Sequence, residues 1–233
     1  MIGPRATFDR ELHRLQDEVL VLGGMVEKAI IRSVEALKQR DQDAAREIIQ
    51  RDQEINAKRF EIEDACLFLI ASQQPLAEDL RLIAAVLEII TDLERMGDHA
   101  AGIAEINLMM EEEPLVKPLI DVPRMAHIGV EMLRASMEAF VRRDAETALR
   151  IANRDDEVDQ LYNQVYNELL TVMFSNPRTI SGATYLLWVA HNLERIADRA
   201  TNICERVIFT VTGRMEEINV RQSPGESKTR ALG

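Results

Sequence analysis

The segment NLERIADRATNICE, Asn192 to Glu205, sets Glu194 four residues before Asp198 and adds Glu205 further along the same line. On a wheel of about 100° per residue, Leu193, Ile196, Ala197, Ala200, Ile203, Cys204 and Val207 gather on one face, so the segment reads as a helix with a buried side. Glu194, Asp198, Thr201 and Glu205 form a second stripe about a third of a turn away. Arg195, Arg199 and Arg206 are expected to project beyond that stripe, leaving the acids segregated from their nearest cations. Like charges four residues apart cost a helix about 0.2–0.5 kcal/mol. One hundred residues earlier, DLERMGDHAAGIAE (Asp92 to Glu105) repeats the arrangement with Glu94, Asp98 and Glu105.

The repeat extends outward from these two segments. RDQEIN (Arg51–Asn56) matches RDDEVD (Arg154–Asp159) at an offset of 103, whereas the acidic helices match at 100. Three residues are therefore lost between the blocks, most simply at the second hairpin. Apolar residues recur at helical spacing from Phe8 through Leu12, Leu15, Val19, Leu22, Val26, Ile30, Val34 and Leu37, giving a first helix that ends near Arg40. Asp43 is the expected cap of a second helix running to about Ser72, and a third follows Pro75 from Leu76 to about Met110. Pro114, Pro118 and Pro123 mark a boundary. The pattern then restarts, with Asp121 as cap and Pro123 in the first turn of a fourth helix ending near Arg142. A fifth helix reaches about Phe174, Pro177 breaks it, and a sixth runs to about Thr212. The expected fold is all-α: two tandem, sequence-related three-helix bundles, over 1–113 and 124–213, joined by a proline-rich linker at 114–123. Their cores are expected to pack separately, and 214–233 is expected to be a disordered tail.

Composition agrees with this. Of 233 residues, 46% are hydrophobic but only 4% aromatic, which favours helices over a β-sandwich. A formal charge of −12 repels phosphate backbones and disfavours nucleic acid as a partner. Cys66 and Cys204 fall within helical apolar patterns and suggest a reduced, intracellular setting. No apolar run is long enough to span a bilayer, and the N-terminus lacks a signal-peptide pattern.

Folding the second and third helices of each half into an antiparallel hairpin adds acid to acid. Asp155, Asp156 and Asp159 come beside Glu194 and Asp198, and Asp52, Glu54 and Asn56 come near Glu94 and Asp98. Clustered oxygen donors without cysteine suit hard cations such as Mg²⁺ or Mn²⁺, and also iron. The candidate metal residues are Glu94, Asp98, Glu105, Asp52 and Asn56 in the first half, and Glu194, Asp198, Glu205, Asp155 and Asp159 in the second. His13, His99, His127 and His191 show no zinc spacing, and His99 is expected to face solvent. Trp188 and Met25, Met96, Met132 and Met137 are expected in the core. No Glu-x-x-His occurs, which disfavours a ferritin-like oxidase, and no P-loop or nucleophile elbow is present.

NLERIADRATNICE and DLERMGDHAAGIAE resemble the paired signature of the PhoU family of phosphate-uptake regulators. FDREL (Phe8–Leu12), GGMVEKAI (Gly23–Ile30) and the starts at Arg51 and Arg154 are also similar to that family. The resemblance implies a six-helix, non-enzymatic, homodimeric cytoplasmic protein recruited peripherally to membrane proteins. It implies negative regulation of phosphate uptake and the phosphate-starvation response, through the ATPase subunit of a phosphate ABC transporter and a phosphate-sensing histidine kinase. It also implies metal bound by Glu/Asp-x-x-x-Asp motifs, here Glu94/Asp98 and Glu194/Asp198, with Asp155/Asp159 fitting the same pattern. Iron, manganese, magnesium and zinc all remain open. This chain departs from the pattern at Gly102, where the second motif has Asn202, and at Asn56, where the second half has Asp159. The alternative is a structural helical adaptor for another cation or anion transporter, without a functional metal site.

Overall fold

The structure, a computed structural model, describes residues 4–110, 115–215 and Ile218. Helix α1 (Pro4–Gln39), α2 (Gln42–Gln73) and α3 (Ala77–Met109) form the first half. Helices α4 (Asp121–Arg142), α5 (Ala145–Ala152), α6 (Asp155–Ser175) and α7 (Ile180–Thr212) form the second, with a short 3₁₀ turn at Pro177–Thr179. The two halves repeat one plan of three long elements. The expected fifth helix is interrupted at Asn153–Arg154, giving α5 and α6 in place of one continuous rod. The loop at 74–76 in the first hairpin shrinks to Asn176 before the 3₁₀ turn, which is where the repeat loses residues. Part of the expected tail, 216–217 and 219–233, lies outside the described residues, as does 111–114 at the expected boundary.

The corners between first and second helices are built alike. Arg40 (φ 58°) and Arg143 (φ 52°) each take the left-handed conformation that ends a helix. The next residue then caps the following helix: Asp41 accepts from the Ala44 N–H, and Asp144 from the Thr147 N–H, both at 2.9 Å. The cap is thus Asp41, not Asp43, which lies in the first turn and pairs with Arg46 at 2.9 Å. Asp121 is not a cap either. It opens α4, and its carboxylate meets Lys117 at 3.1 Å, a lysine that also reaches Glu168.

One continuous apolar core runs through both halves, from Phe8 of α1 to Val207 of α7. This overturns the expectation of separately packed cores. Helices α3 and α7 pack most extensively against each other, and they hold the core in common. Leu93, Met96, Ala100 and Ile103 of α3 and Leu193, Ile196, Ala200 and Ile203 of α7 are all at most 1% exposed. Each fully buried large apolar side chain contributes about 1.5–3 kcal/mol. A hydrophobic stripe specifies that a face is buried, not which helix covers it. Helices α1 and α4 are also joined, by Arg134 Nε donating to Glu27 Oε2 at 2.8 Å. Trp188 is not core: it is 48% exposed and packs edge-on against Tyr185.

Candidate functional site

In the second half, α7 carries Glu194, Asp198, Thr201 and Glu205 along one line, and the first turn of α6 brings Asp155 against them. Asp155, Asp198, Thr201 and Glu205 line a cavity of about 300 Å³, together with Arg195, Arg199 and Asn202. Glu194 is only 5% exposed. Burial, then the neighbouring Asp198 and more weakly Asp159, push its carboxyl above the ordinary glutamate range, while Arg195 and His191 oppose the shift. The Thr201 hydroxyl, equally buried, has no hydrogen-bond partner among the described residues.

The first half assembles the corresponding acids. Burial acts most strongly on Asp52, and then Asp98, Glu94 and Glu105 raise its carboxyl further. Asn56 answers by donating Nδ2 to Asp52 Oδ2 at 3.1 Å, while Asp52 Oδ1 is buried without a hydrogen bond among the described residues. Glu94 is raised by burial and by Asp98, and lowered by Arg95 and Arg59. Glu105 itself is exposed, whereas Glu205 accepts a hydrogen bond from the Ile218 N–H at 2.9 Å. Across the hairpins Asp52 thus comes near Glu94 and Asp98, Asp155 near Asp198 and Asp159 near Glu194, whereas Glu54 and Asp156 are exposed.

Their cations were misplaced by the wheel. Arg195 does not project away from the stripe; its Nη1 meets Asp198 Oδ2 at 2.9 Å and its Nε lies 3.6 Å from Glu194 Oε2. Arg95 repeats the clamp on Asp98 at 3.3 Å and Glu94 at 3.6 Å. A long flexible stem lets an arginine one position along the helix curl back onto the acid stripe.

A second polar constellation lies on the α3–α7 seam, and stripe spacing did not expose it. Asp92, 8% exposed, accepts from Arg199 Nη1 at 3.2 Å and Asn202 Nδ2 at 3.1 Å. Burial raises its carboxyl; Asn202 and Arg199 pull it down again. At the equivalent positions, His99 Nδ1 and Asn192 Oδ1 stand 3.0 Å apart. His99 is therefore in the seam and not in solvent, and burial lowers its pKa. Gly102 lets the seam close: a Cβ there would meet Asn192 Oδ1 at 3.2 Å.

The donor set of both acidic groups is oxygen throughout, the chemistry that hard cations take. Unsatisfied Asp52 Oδ1 and Thr201 Oγ1 are atoms that such an ion, or a water bound to it, could engage. Among the described residues, however, no three His, Cys, Asp or Glu side chains converge into an arrangement that would hold a metal ion. Arg95 and Arg195 occupy the acids instead.

The fold and its paired acidic motifs define a tandem helical-bundle protein with one carboxylate-rich surface on each half. The PhoU domain model matches it twice, at residues 19–106 and 122–207, and the chain belongs to the PhoU family. It is 39% identical over 216 residues to a phosphate-specific transport system accessory protein PhoU homolog of Clostridium acetobutylicum, covering 92% of this chain and 99% of that protein. The crystal structure of PhoU from Pseudomonas aeruginosa superposes with a TM-score of 0.85 at 36% identity, covering 89% of this chain and 100% of that one. The phosphate transport system regulatory protein PhoU from Streptococcus pneumoniae gives 0.84 at 35% identity, covering 90% and 99%. No described helix is long and apolar enough to cross a membrane.

Proposed function

We propose that this protein is an accessory regulator of phosphate transport that acts by binding other proteins and has no catalytic activity of its own. The observation that carries the reading is the match to proteins named for that role over nearly the whole length of both partners. The protein works in the cytoplasm as a homodimer and restrains uptake and the phosphate-starvation response. Its partners are the ATPase subunit of a phosphate ABC transporter and the cytoplasmic domain of a phosphate-sensing histidine kinase. A chain of charge −12 is repelled by anionic lipid, so recruitment runs through protein contacts and weakens with salt. Recovery on membranes at low and high salt, from strains with and without the transporter and kinase, tests this. Equal recovery without those partners would sink it.

Metal binding is part of the same proposal. Glu194, Asp198, Asp155, Asp159 and Glu205 would hold an ion in the second half; Glu94, Asp98, Asp52, Asn56 and Glu105 would hold one in the first. Iron, manganese, magnesium and zinc are the classes to assay. A bound cation would supply the positive charge now provided by Arg95 and Arg195, so those arginines must turn away to admit it. The same clamps favour a second reading, a metal-free helical adaptor for a transporter, because they already balance the acids. Elemental analysis of protein purified without chelator separates the two.

A further inference from the structure

A pocket of about 360 Å³ opens in the first half between α1, α2 and α3, on a floor of Met25, Ala29, Ile48, Ile55 and Gly97. Small-molecule sites run upward from roughly 300 Å³. Lys28, Arg32 and Arg51 stand at its mouth with Glu54, and Asp52 lines it against Gly97. The duplicated half shows why the space exists. Across the offset of 103, Ala29 corresponds to Met132, and across the offset of 100 Gly97 corresponds to Ala197. Met132 is 0% exposed where Ala29 leaves room, while at Gly97 a Cβ would already press on Ile55 and Asp52 at 3.1 and 3.2 Å.

The mouth has diverged in charge as well. In the second half Glu131 and Arg154 close on each other at 2.9 Å. Their counterparts are Lys28 and Arg51, two cations that cannot close on each other. Arg32, whose counterpart is Ala135, adds a third. Arg32 and Arg51 share the single carboxylate of Glu47, at 2.6 and 2.9 Å, and Glu27 is taken by Arg134. The result is a concave apolar surface whose lining carries three cations, two of them sharing Glu47, beside Asp52 and Glu54, on a protein of net charge −12. Asp52 Oδ1, buried and without a hydrogen bond among the described residues, faces Gly97 at the floor: a Cβ on Gly97 would meet it at 3.2 Å.

We propose that this pocket binds a small organic anion, with its phosphate or carboxylate head against Lys28, Arg32 and Arg51 and its compact body on Ile48, Ile55 and Gly97. Glu54 favours a hydroxyl or amino group on that body, because its carboxylate offers an acceptor. The site is independent of the transporter contacts proposed above, since it follows from the divergence of the two halves.

Calorimetric titration of the full chain with glycerol 3-phosphate, phenyl phosphate, benzoate and inorganic phosphate tests it. At least one organic anion should bind in the millimolar range or tighter, and inorganic phosphate at least about tenfold more weakly. The phosphates against benzoate decide which head the rim prefers. Ala29→Met, which restores the side chain of the other half, should weaken binding at least about tenfold. Lys28→Gln, at an exposed position that leaves the fold alone, should weaken it severalfold and remove much of its salt dependence. Absence of binding by all the organic probes, equal binding of inorganic phosphate, or binding indifferent to Lys28→Gln would each overturn the assignment.

Discussion

Asp92 and Arg199 meet at 3.2 Å across the α3–α7 seam, and their counterparts Asn192 and His99 meet at 3.0 Å on its other side. One crossing is thus an ion pair and the other a neutral contact, although both lie in the same packed interface. The ionic member carries the greater energetic consequence, because removing a carboxylate strands a cation. Asp92→Ala should lower stability by about 2 kcal/mol in urea unfolding, since hydrogen bonds to charged groups are worth about 1.5–3 kcal/mol. Asn192→Ala should cost under about 1.5 kcal/mol, within the range of a neutral bond. Equal losses would show that the pair adds nothing beyond packing.

The neutral crossing should respond to acid. Burial, with Arg199 and His191, holds the His99 pKa below its ordinary value of 6.5, against Asn192 and Asp98, which favour the charged form. A histidine depressed in the folded state contributes stability above its unfolded pKa and loses it as the pH falls toward the folded one. Stability should therefore decline on acidification below about 6.5, and His99→Gln should flatten that decline in urea titrations at neutral and mildly acidic pH.

Glu194 has the opposite signature. Its carboxyl is raised, so the stabilising state is the protonated one, complete below the ordinary glutamate range and lost as the pH rises through the raised value. Glu194→Gln should leave the protein as stable as the wild type or more so at pH 7, with the advantage gone near pH 4. Thermal melts in metal-free buffer at both values measure it, and a clear loss at pH 7 would mean that the Arg195 contact outweighs burial.

For ion binding, Glu194→Ala with Asp198→Ala should empty the second half while the first keeps its content, measured by elemental analysis. Arg195→Ala should act in the other direction, tightening Mn²⁺ about tenfold by removing the competing cation. Metal retained in full by the double variant would refute the assignment.

Thr201 offers a cleaner test of an unmet polar group. Thr201→Val exchanges a buried hydroxyl that lacks a partner for a methyl of similar size. Desolvation of such a group costs about 1–3 kcal/mol, so the variant should melt higher in metal-free buffer. If the hydroxyl serves a bound ion instead, the same variant should lose affinity for that ion.

Periodicity and chain breaks made most of the architecture legible, although the caps expected at Asp43 and Asp121 were misplaced. The arginine–aspartate corners, the two proline-broken hairpins and the pairing of Asp52 with Glu94, and of Asp155 with Asp198, follow from local spacing and chain reversal. What escaped depends on partners remote in sequence or on where a long side chain ends. The merged core turns on α7 covering α3. The clamps of Arg95 and Arg195 turn on a guanidinium bending back along its helix. Trp188 sits in an apolar run yet on an outward face, and His99 is turned inward by Asn192, 93 residues away.

The seam also fixes how the two halves complement each other. Two identical halves packed across such a seam would make every crossing twice in identical form. Here the two crossings are different, so the halves are complementary and not interchangeable. Two first halves brought together would set His99 against Asp92, and two second halves would set Arg199 against Asn192 with no carboxylate to receive it. That difference makes each half the complement of the other and not of a copy of itself.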